Sequence, residues 1–298
     1  MNAGRLAYLV PVLILVPFLA ACEPLATPTT YAPVAQAPAT VSPPSPVPTS
    51  PASTMSPPTL TAPPAPGSKE ATVTLTWFGQ STFVLVTSTS LKALLDPASP
   101  GTGYNIPTQT GVDLVTVSHE HTDHNAVNLA AGSPLVLRGL AGNDWAKIDQ
   151  TVKGVRVRTV GVYHDDTQGS KRGKNAIFVF EVDGLRLAHL GDLGHTLSPG
   201  QIKDIGPVDV ILIPVGGFYT IDGKVAAEVV SQLNPQVIIP MHYKTPDLAA
   251  SLAAVLAPVD DFIKAMGNAA TVNQVGQTVT IERGKLPAGR TVMVMKYK

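Results

Sequence analysis

Between residues 72 and 96 apolar and polar positions alternate in three short bursts: Thr72-Val-Thr-Leu-Thr-Trp77-Phe78, Ser81-Thr-Phe-Val-Leu-Val-Thr87 and Leu91-Lys-Ala-Leu-Leu-Asp96. A period of two rich in β-branched residues predicts consecutive antiparallel strands joined by short turns. The apolar run Asp113-Leu-Val-Thr-Val-Ser118 predicts a buried strand, and further strands are expected over 155–160, 175–182, 185–189, 208–213, 236–240, 278–281 and 291–295. Asp183-Gly184 reads as a tight hairpin between two of them. Helical patterning is rarer. It predicts helices over 123–131, 199–203, 222–233 and 245–256, with Asp222 as the N-cap of the third and Asn234-Pro235 as its stop. Strand clusters separated by helices predict two packed sheets with helices outside, an α+β domain spanning residues 69–298.

The first 68 residues follow a different pattern. After Arg5 comes an apolar run from Leu6 to Ala20, ending in Leu19-Ala20-Ala21-Cys22. Residues 1–22 resemble a bacterial lipoprotein signal peptide, whose lipobox ends in the cysteine that becomes acylated. The apolar run, about 15 residues, is shorter than the roughly 20 that a spanning helix needs, although an uncleaved anchor is the alternative. Cys22 is the only cysteine, so no internal disulfide, thiolate metal site or thiol nucleophile is available. Residues 23–68 are almost wholly Pro, Thr, Ala, Ser and Val, which cannot build a core. They read as an extended linker, on the order of 140 Å long at about 3.1 Å per residue. The expectation is an extracytoplasmic, membrane-anchored lipoprotein.

Charge adds an exclusion. The 21 basic and 21 acidic residues cancel, and no Lys/Arg block stands out, so the footprint of a nucleic-acid binder is missing. Nothing in the pattern fixes an oligomeric state.

The candidate chemistry sits at the end of the 113–118 strand. Ser118-His119-Glu120-His121-Thr122-Asp123-His124 offers four metal-binding side chains within six positions in a chain with only seven histidines. Such a run is expected by chance roughly once in ten thousand chains of this composition. Alternation puts His119 and His121 on one side of an extended segment. Asp123 and His124 follow at the start of the expected helix, so one pair suits one metal and the other pair a second. A helix N-cap is the alternative for Thr122 or Asp123. His164, Asp192 and His242 each follow an apolar run that would deliver them to the same rim.

The set H-x-H-x-D-H, then His, Asp and His in that order, resembles the metallo-β-lactamase fold superfamily. The flanking text Leu187-Ala-His-Leu-Gly-Asp-Leu-Gly-His195, Ile213-Pro-Val-Gly-Gly217 and Pro240-Met-His-Tyr-Lys244 is most similar to its ascorbate-6-phosphate lactonase (UlaG-like) branch. The resemblance covers residues 70–298 and implies a four-layer αββα sandwich. It also assigns His119, His121 and His164 to one metal, and Asp123, His124 and His242 to the other, with Asp192 bridging. The oxygen-reducing di-iron branch has glutamate where this chain has His121, and carries a flavin domain absent here, which argues for hydrolysis.

Two divalent ions follow from the donor set. His and Asp without thiolate suit Zn²⁺, with Mn²⁺ or Fe²⁺ as alternatives. Such a pair would lower the pKa of a bridging water to about 7, giving a hydroxide nucleophile. Asp192 would hold the bridge and Asp123 would orient the nucleophile or carry its proton. His189, His195, Tyr219 and Lys244 are candidates to contact substrate or to fix a metal-binding side chain, with a core role favoured for His189. No G-x-S-x-G elbow or G-x-x-x-x-G-K-[ST] loop occurs. The expected function is a binuclear metal-dependent hydrolase of a small ester, lactone or phosphoester. A phosphodiesterase on phospholipid or nucleotide and a tethered, non-catalytic metal-binding domain are the alternatives. A phosphorylated sugar lactone is a poor substrate for an exported protein, because such metabolites are mainly cytoplasmic.

Overall fold

The structure, a computed structural model, describes residues 70–298. The signal peptide and linker expected over 1–68 lie outside the described residues. Strands β1 (Thr72–Trp77), β2 (Phe83–Thr87), β3 (Lys92–Leu95), β4 (Leu114–Val117) and β5 (Leu135–Arg138) open the fold. The short strands β6 (Leu140–Ala141) and β7 (Asp144–Trp145) pair with each other. Next come β8 (Asp149–Val152), β9 (Val155–Tyr163), β10 (Lys174–Val182) and β11 (Leu185–His189). Then α1 (Pro199–Ile205), β12 (Val210–Pro214), α2 (Gly223–Leu233), β13 (Val237–Met241), α3 (Ala250–Ala253) and α4 (Val259–Met266) follow in order. Finally β14 (Thr271–Val275), β15 (Thr278–Glu282) and β16 (Thr291–Met295) close the chain.

These strands form two large mixed sheets, ordered β15-β1-β2-β3-β4-β5 and β14-β16-β13-β12-β11-β10-β9-β8. In β1 the apolar Val73, Leu75 and Trp77 are buried, while Thr74 and Thr76 on the other face meet Thr280 and Thr278 at 3.0 Å. The parallel strands β12 and β13 are buried at every position, as strands covered on both faces must be. Phe83 of the first sheet meets the His189 ring of the second edge-on at 6.1 Å, and Trp77 stacks on Tyr243 at 5.5 Å. One apolar core therefore binds the layers together. A smaller cluster on the outer face of the first sheet joins Val84, Leu94, Val115 and Val117 to Ala130. The two sheets and their helices thus make a single globular domain over the described residues.

Two helix expectations are corrected. Residues 123–131 hold only a 3₁₀ turn at Val127–Leu129, because their backbone groups bond elsewhere: Ala126 N–H donates to Pro97 O and Ala131 N–H to Gln109 O, both at 2.8 Å. Of the helix expected over 245–256 only Ala250–Ala253 is helical, and Ala249 N–H donates instead to Thr102 O at 2.8 Å.

Topology sets up the site. Strands β3 and β4 run parallel in the first sheet, and β11, β12 and β13 run parallel in the second, with β9 in the same direction as β11 because both oppose β10. The carboxyl ends of these strands carry Asp96, the 118–124 run, His164, Asp192, Tyr219 and His242.

Candidate metal centre

Past β4 the chain turns sharply enough for His119 Nε2 to lie 3.0 Å from His121 Nδ1, with the two rings edge-to-face. His164, delivered by β9, brings its ring 4.7 Å from that of His119 and 5.0 Å from that of His121. These three imidazoles form one group of potential ligands, and Asp123, His124, Asp192 and His242 form a second. Within each group the donor atoms lie within 4.8 Å of one another. Asp192 lies between the groups. Its Oδ2 is 3.2 Å from both His124 Nε2 and His164 Nε2, 3.4 Å from His242 Nε2 and 4.0 Å from His119 Nε2.

Surrounding groups fix these side chains from behind. The fully buried Asp96 carboxylate faces His124 Nδ1 at 2.8 Å and accepts from Ser118 N–H at 2.8 Å. It also accepts from Ser118 Oγ, which lies 3.0 Å from His119 Nδ1. Gln80 donates to Asp123 Oδ2 at 3.1 Å, and the Asn175 side-chain Oδ1 accepts from Asp192 N–H at 3.2 Å. Such partners orient ring nitrogens toward a metal and fix the tautomer. Asp96 is the functional residue that the sequence reading passed over. Its only signal was a carboxylate closing an otherwise apolar strand.

Backbone conformation is specialised here too. Gln80, Asp96 and His242 lie in the left-handed region, at φ 48°, 41° and 52°. Gly194 has a different constraint: a Cβ there would fall 2.2 Å from Asp165 N and 2.3 Å from His164 C. Only glycine lets the Asp192 turn pack against the His164 loop.

Electrostatics divide the two groups. Burial holds His119 well below the ordinary histidine value, reinforced by His124, and burial with His164 lowers His121. Both are therefore neutral donors at pH 7. Burial also opposes charge on His124 and His242, yet the Asp192 and Asp123 carboxylates raise His124 well above its usual value and bring His242 up to about 9. Against the opposing effect of burial, His124 and His242 hold Asp192 well below the carboxylate range; His124 does the same for Asp123. Buried carboxylates ringed by imidazoles fit divalent cations, and so do His124 Nε2 and Asp192 Oδ1, which are buried without a hydrogen-bond partner.

A cavity of about 430 Å³ opens onto His121, Asp123, His164, Asp192 and His242, with Lys171, Arg172, Tyr219 and Leu252 also lining it. The remaining candidates lie as follows. Tyr219 lines this cavity. His189 is fully buried, its Nε2 3.0 Å from Ser81 O and its Nδ1 3.9 Å from Asp96. His195 accepts from Tyr163 N–H at 3.0 Å through Nε2 and contacts Thr196 O through Nδ1, so backbone groups occupy both nitrogens. Lys244 is exposed, and its backbone N–H donates to Ala257 O.

A family model described as a beta-lactamase superfamily domain matches residues 74–242. A UPF0173 metal-dependent hydrolase of Thermococcus onnurineus is 29% identical over 221 residues, spanning 67% of this chain and 95% of that protein. Another, from Archaeoglobus fulgidus, is 31% identical over 195 residues, spanning 57% of this chain and 83% of its own length. A crystal structure from Thermotoga maritima, described as a candidate Zn-dependent hydrolase of the metallo-beta-lactamase superfamily, has 39% identity and a TM-score of 0.58, covering 75% of this chain and 98% of that one.

Proposed function

The chain belongs to the beta-lactamase superfamily and to its UPF0173 metal-dependent hydrolases, and on that premise we propose that it is a binuclear enzyme cleaving a small ester, lactone or phosphoester. The observation carrying the binuclear reading is Asp192 Oδ2, a single oxygen facing imidazoles of both groups at 3.2–4.0 Å. His119, His121 and His164 would hold one divalent cation and Asp123, His124 and His242 the other, with Asp192 shared. When bound, such a pair acidifies water and polarises a carbonyl or phosphoryl oxygen. Zn²⁺ suits the donors, as do Mn²⁺ and Fe²⁺.

The chain's own groups supply the rest. Asp123 stands at the cavity wall with its side chain 24% exposed, steadied by the Gln80 amide. It is placed to accept a proton from the attacking water and return it to the departing oxygen. In that step the water oxygen joins the acyl carbon or phosphorus, and the bond to the leaving oxygen breaks. Tyr219, which lines the same cavity, is proposed to donate its hydroxyl to the developing oxyanion. The lactonase-like flanks keep lactones among the substrates.

The decisive experiment is a hydrolysis screen on the full chain reconstituted with Zn²⁺ or Mn²⁺. Turnover of at least one ester, lactone or phosphodiester is expected, abolished by chelation and restored by metal. No turnover on any substrate overturns the proposal.

We further propose that Cys22 is lipidated and anchors the enzyme outside the cytoplasm, from the Leu19-Ala20-Ala21-Cys22 signature. A Cys22→Ser variant should leave the membrane fraction for the soluble one, and retention there would point to an uncleaved anchor.

A further inference from the structure

Seven arginines fall among the described residues, and six have an oxygen partner. Arg138 meets Glu120, Arg156 meets Asp149, Arg158 and Arg186 meet Glu181, Arg283 donates to Asp183 O, and Arg290 donates to Asn234. Arg172 is the exception: among the described residues its guanidinium has no carboxylate, carbonyl or amide oxygen to bond. It lies instead against two aromatic rings, 5.6 Å from the centroid of Tyr219 and 6.0 Å from that of Phe218. Half-buried, it lines the cavity that holds His121, His164, Asp192 and His242.

Nearby carboxylates are engaged elsewhere. Asp165 accepts the backbone N–H groups of Thr167, Gly169, Lys171 and Arg172 at 2.7–2.9 Å, and Asp166 pairs with Lys171 at 3.1 Å. The Asp165 hydrogen bonds also tie the His164–Gly173 loop together, so one segment carries both a candidate metal-binding imidazole and the unpaired guanidinium. On the facing side, Phe218 occupies the left-handed region at φ 56° and remains 58% exposed. A bulky aromatic held in that conformation next to the cavity-lining Tyr219 is strain of the kind that accompanies function. Here it keeps a ring face against Arg172 while the guanidinium edges stay free to form a bidentate pair.

We infer that Arg172 binds an anionic oxygen group, carboxylate or phosphate, carried by the substrate away from the bond that is cleaved. The inference rests on the hydrolase reading only in assigning that anion to the molecule undergoing cleavage. It narrows the substrate class to anionic esters, lactones or phosphoesters.

The test is equilibrium binding to the zinc-loaded full chain by calorimetry, with succinamate and methyl phosphate as anionic probes and succinamide as the neutral one. At least one anion is expected to bind about tenfold more tightly than succinamide. Arg172→Gln should erase that preference, and Arg172→Lys should restore part of it, with zinc content and thermal midpoint unchanged in both. The anion losing more affinity in Arg172→Gln identifies the group recognised. Equal binding of all three probes by the wild type, or a preference that survives Arg172→Gln, overturns the inference. Because the readout is binding, it fails separately from the hydrolysis screen. Charge discrimination without turnover retains the anion site and loses the enzyme, whereas turnover without discrimination does the reverse.

Discussion

An Asp192→Ala variant is expected to lose at least about a thousandfold in kcat/KM on whatever ester, lactone or phosphoester the protein cleaves, about 4 kcal/mol of transition-state stabilisation. The expectation comes from position. Asp192 is 2% exposed, and its Oδ2 meets imidazoles of both groups. Its removal also takes away one of the donors of the Asp123, His124, Asp192 and His242 group, the one that faces His119 and His164 as well. Metal content should therefore fall together with rate, from near two ions per chain to one or fewer. Steady-state rates beside elemental analysis decide the matter. A variant with wild-type rate and two ions would remove Asp192 from the centre altogether.

Chelation is expected to lower the thermal midpoint by roughly 20 °C. Each cation present at about a thousand times its dissociation constant contributes about 4 kcal/mol, and a domain of this size shifts by roughly 2–4 °C per kcal/mol. The difference should depend on pH. His242, brought from 6.5 to about 9, favours the metal-free fold fully below about 6.5, and that contribution disappears as pH rises through about 9. A cation needs the same imidazole neutral, so its hold strengthens over the same range. Both effects have one sign, and the gap between loaded and metal-free midpoints should widen from pH 6.5 to pH 9. Differential scanning calorimetry at three pH values measures it, and a gap that narrows would contradict the assignment of His242.

Much of this was legible in the chain because the strongest signals were local. The period-two run at 72–77 states which face is buried, and five apolar residues in a row at 237–241 can belong only to a covered element. The 118–124 run advertised its chemistry because histidine is scarce elsewhere. What escaped depended on distant partners. β8 and β14 are short, polar edge strands whose pairing comes from neighbours rather than from their own pattern. The segment after His124 has helical composition, but Pro97 and Gln109 capture its backbone. Asp96 and Arg172 look like ordinary charged residues in sequence. Only the fold reveals that one is buried behind His124 and that the other lacks the partner every other described arginine has.

Each group of potential ligands draws on both sheets: His119 and His121 come from the first and His164 from the second, while Asp123 and His124 come from the first and Asp192 and His242 from the second. A strand advances about 3.3 Å per residue, more than the tolerance of any coordination bond. Layers that slipped by a single residue would thus assemble a plausible apolar core yet bring no complete set of donors together. Stoichiometric metal uptake then serves as a gauge of layer alignment, and overpacking at the Phe83–His189 contact should register first as missing ions, well before any loss of secondary structure.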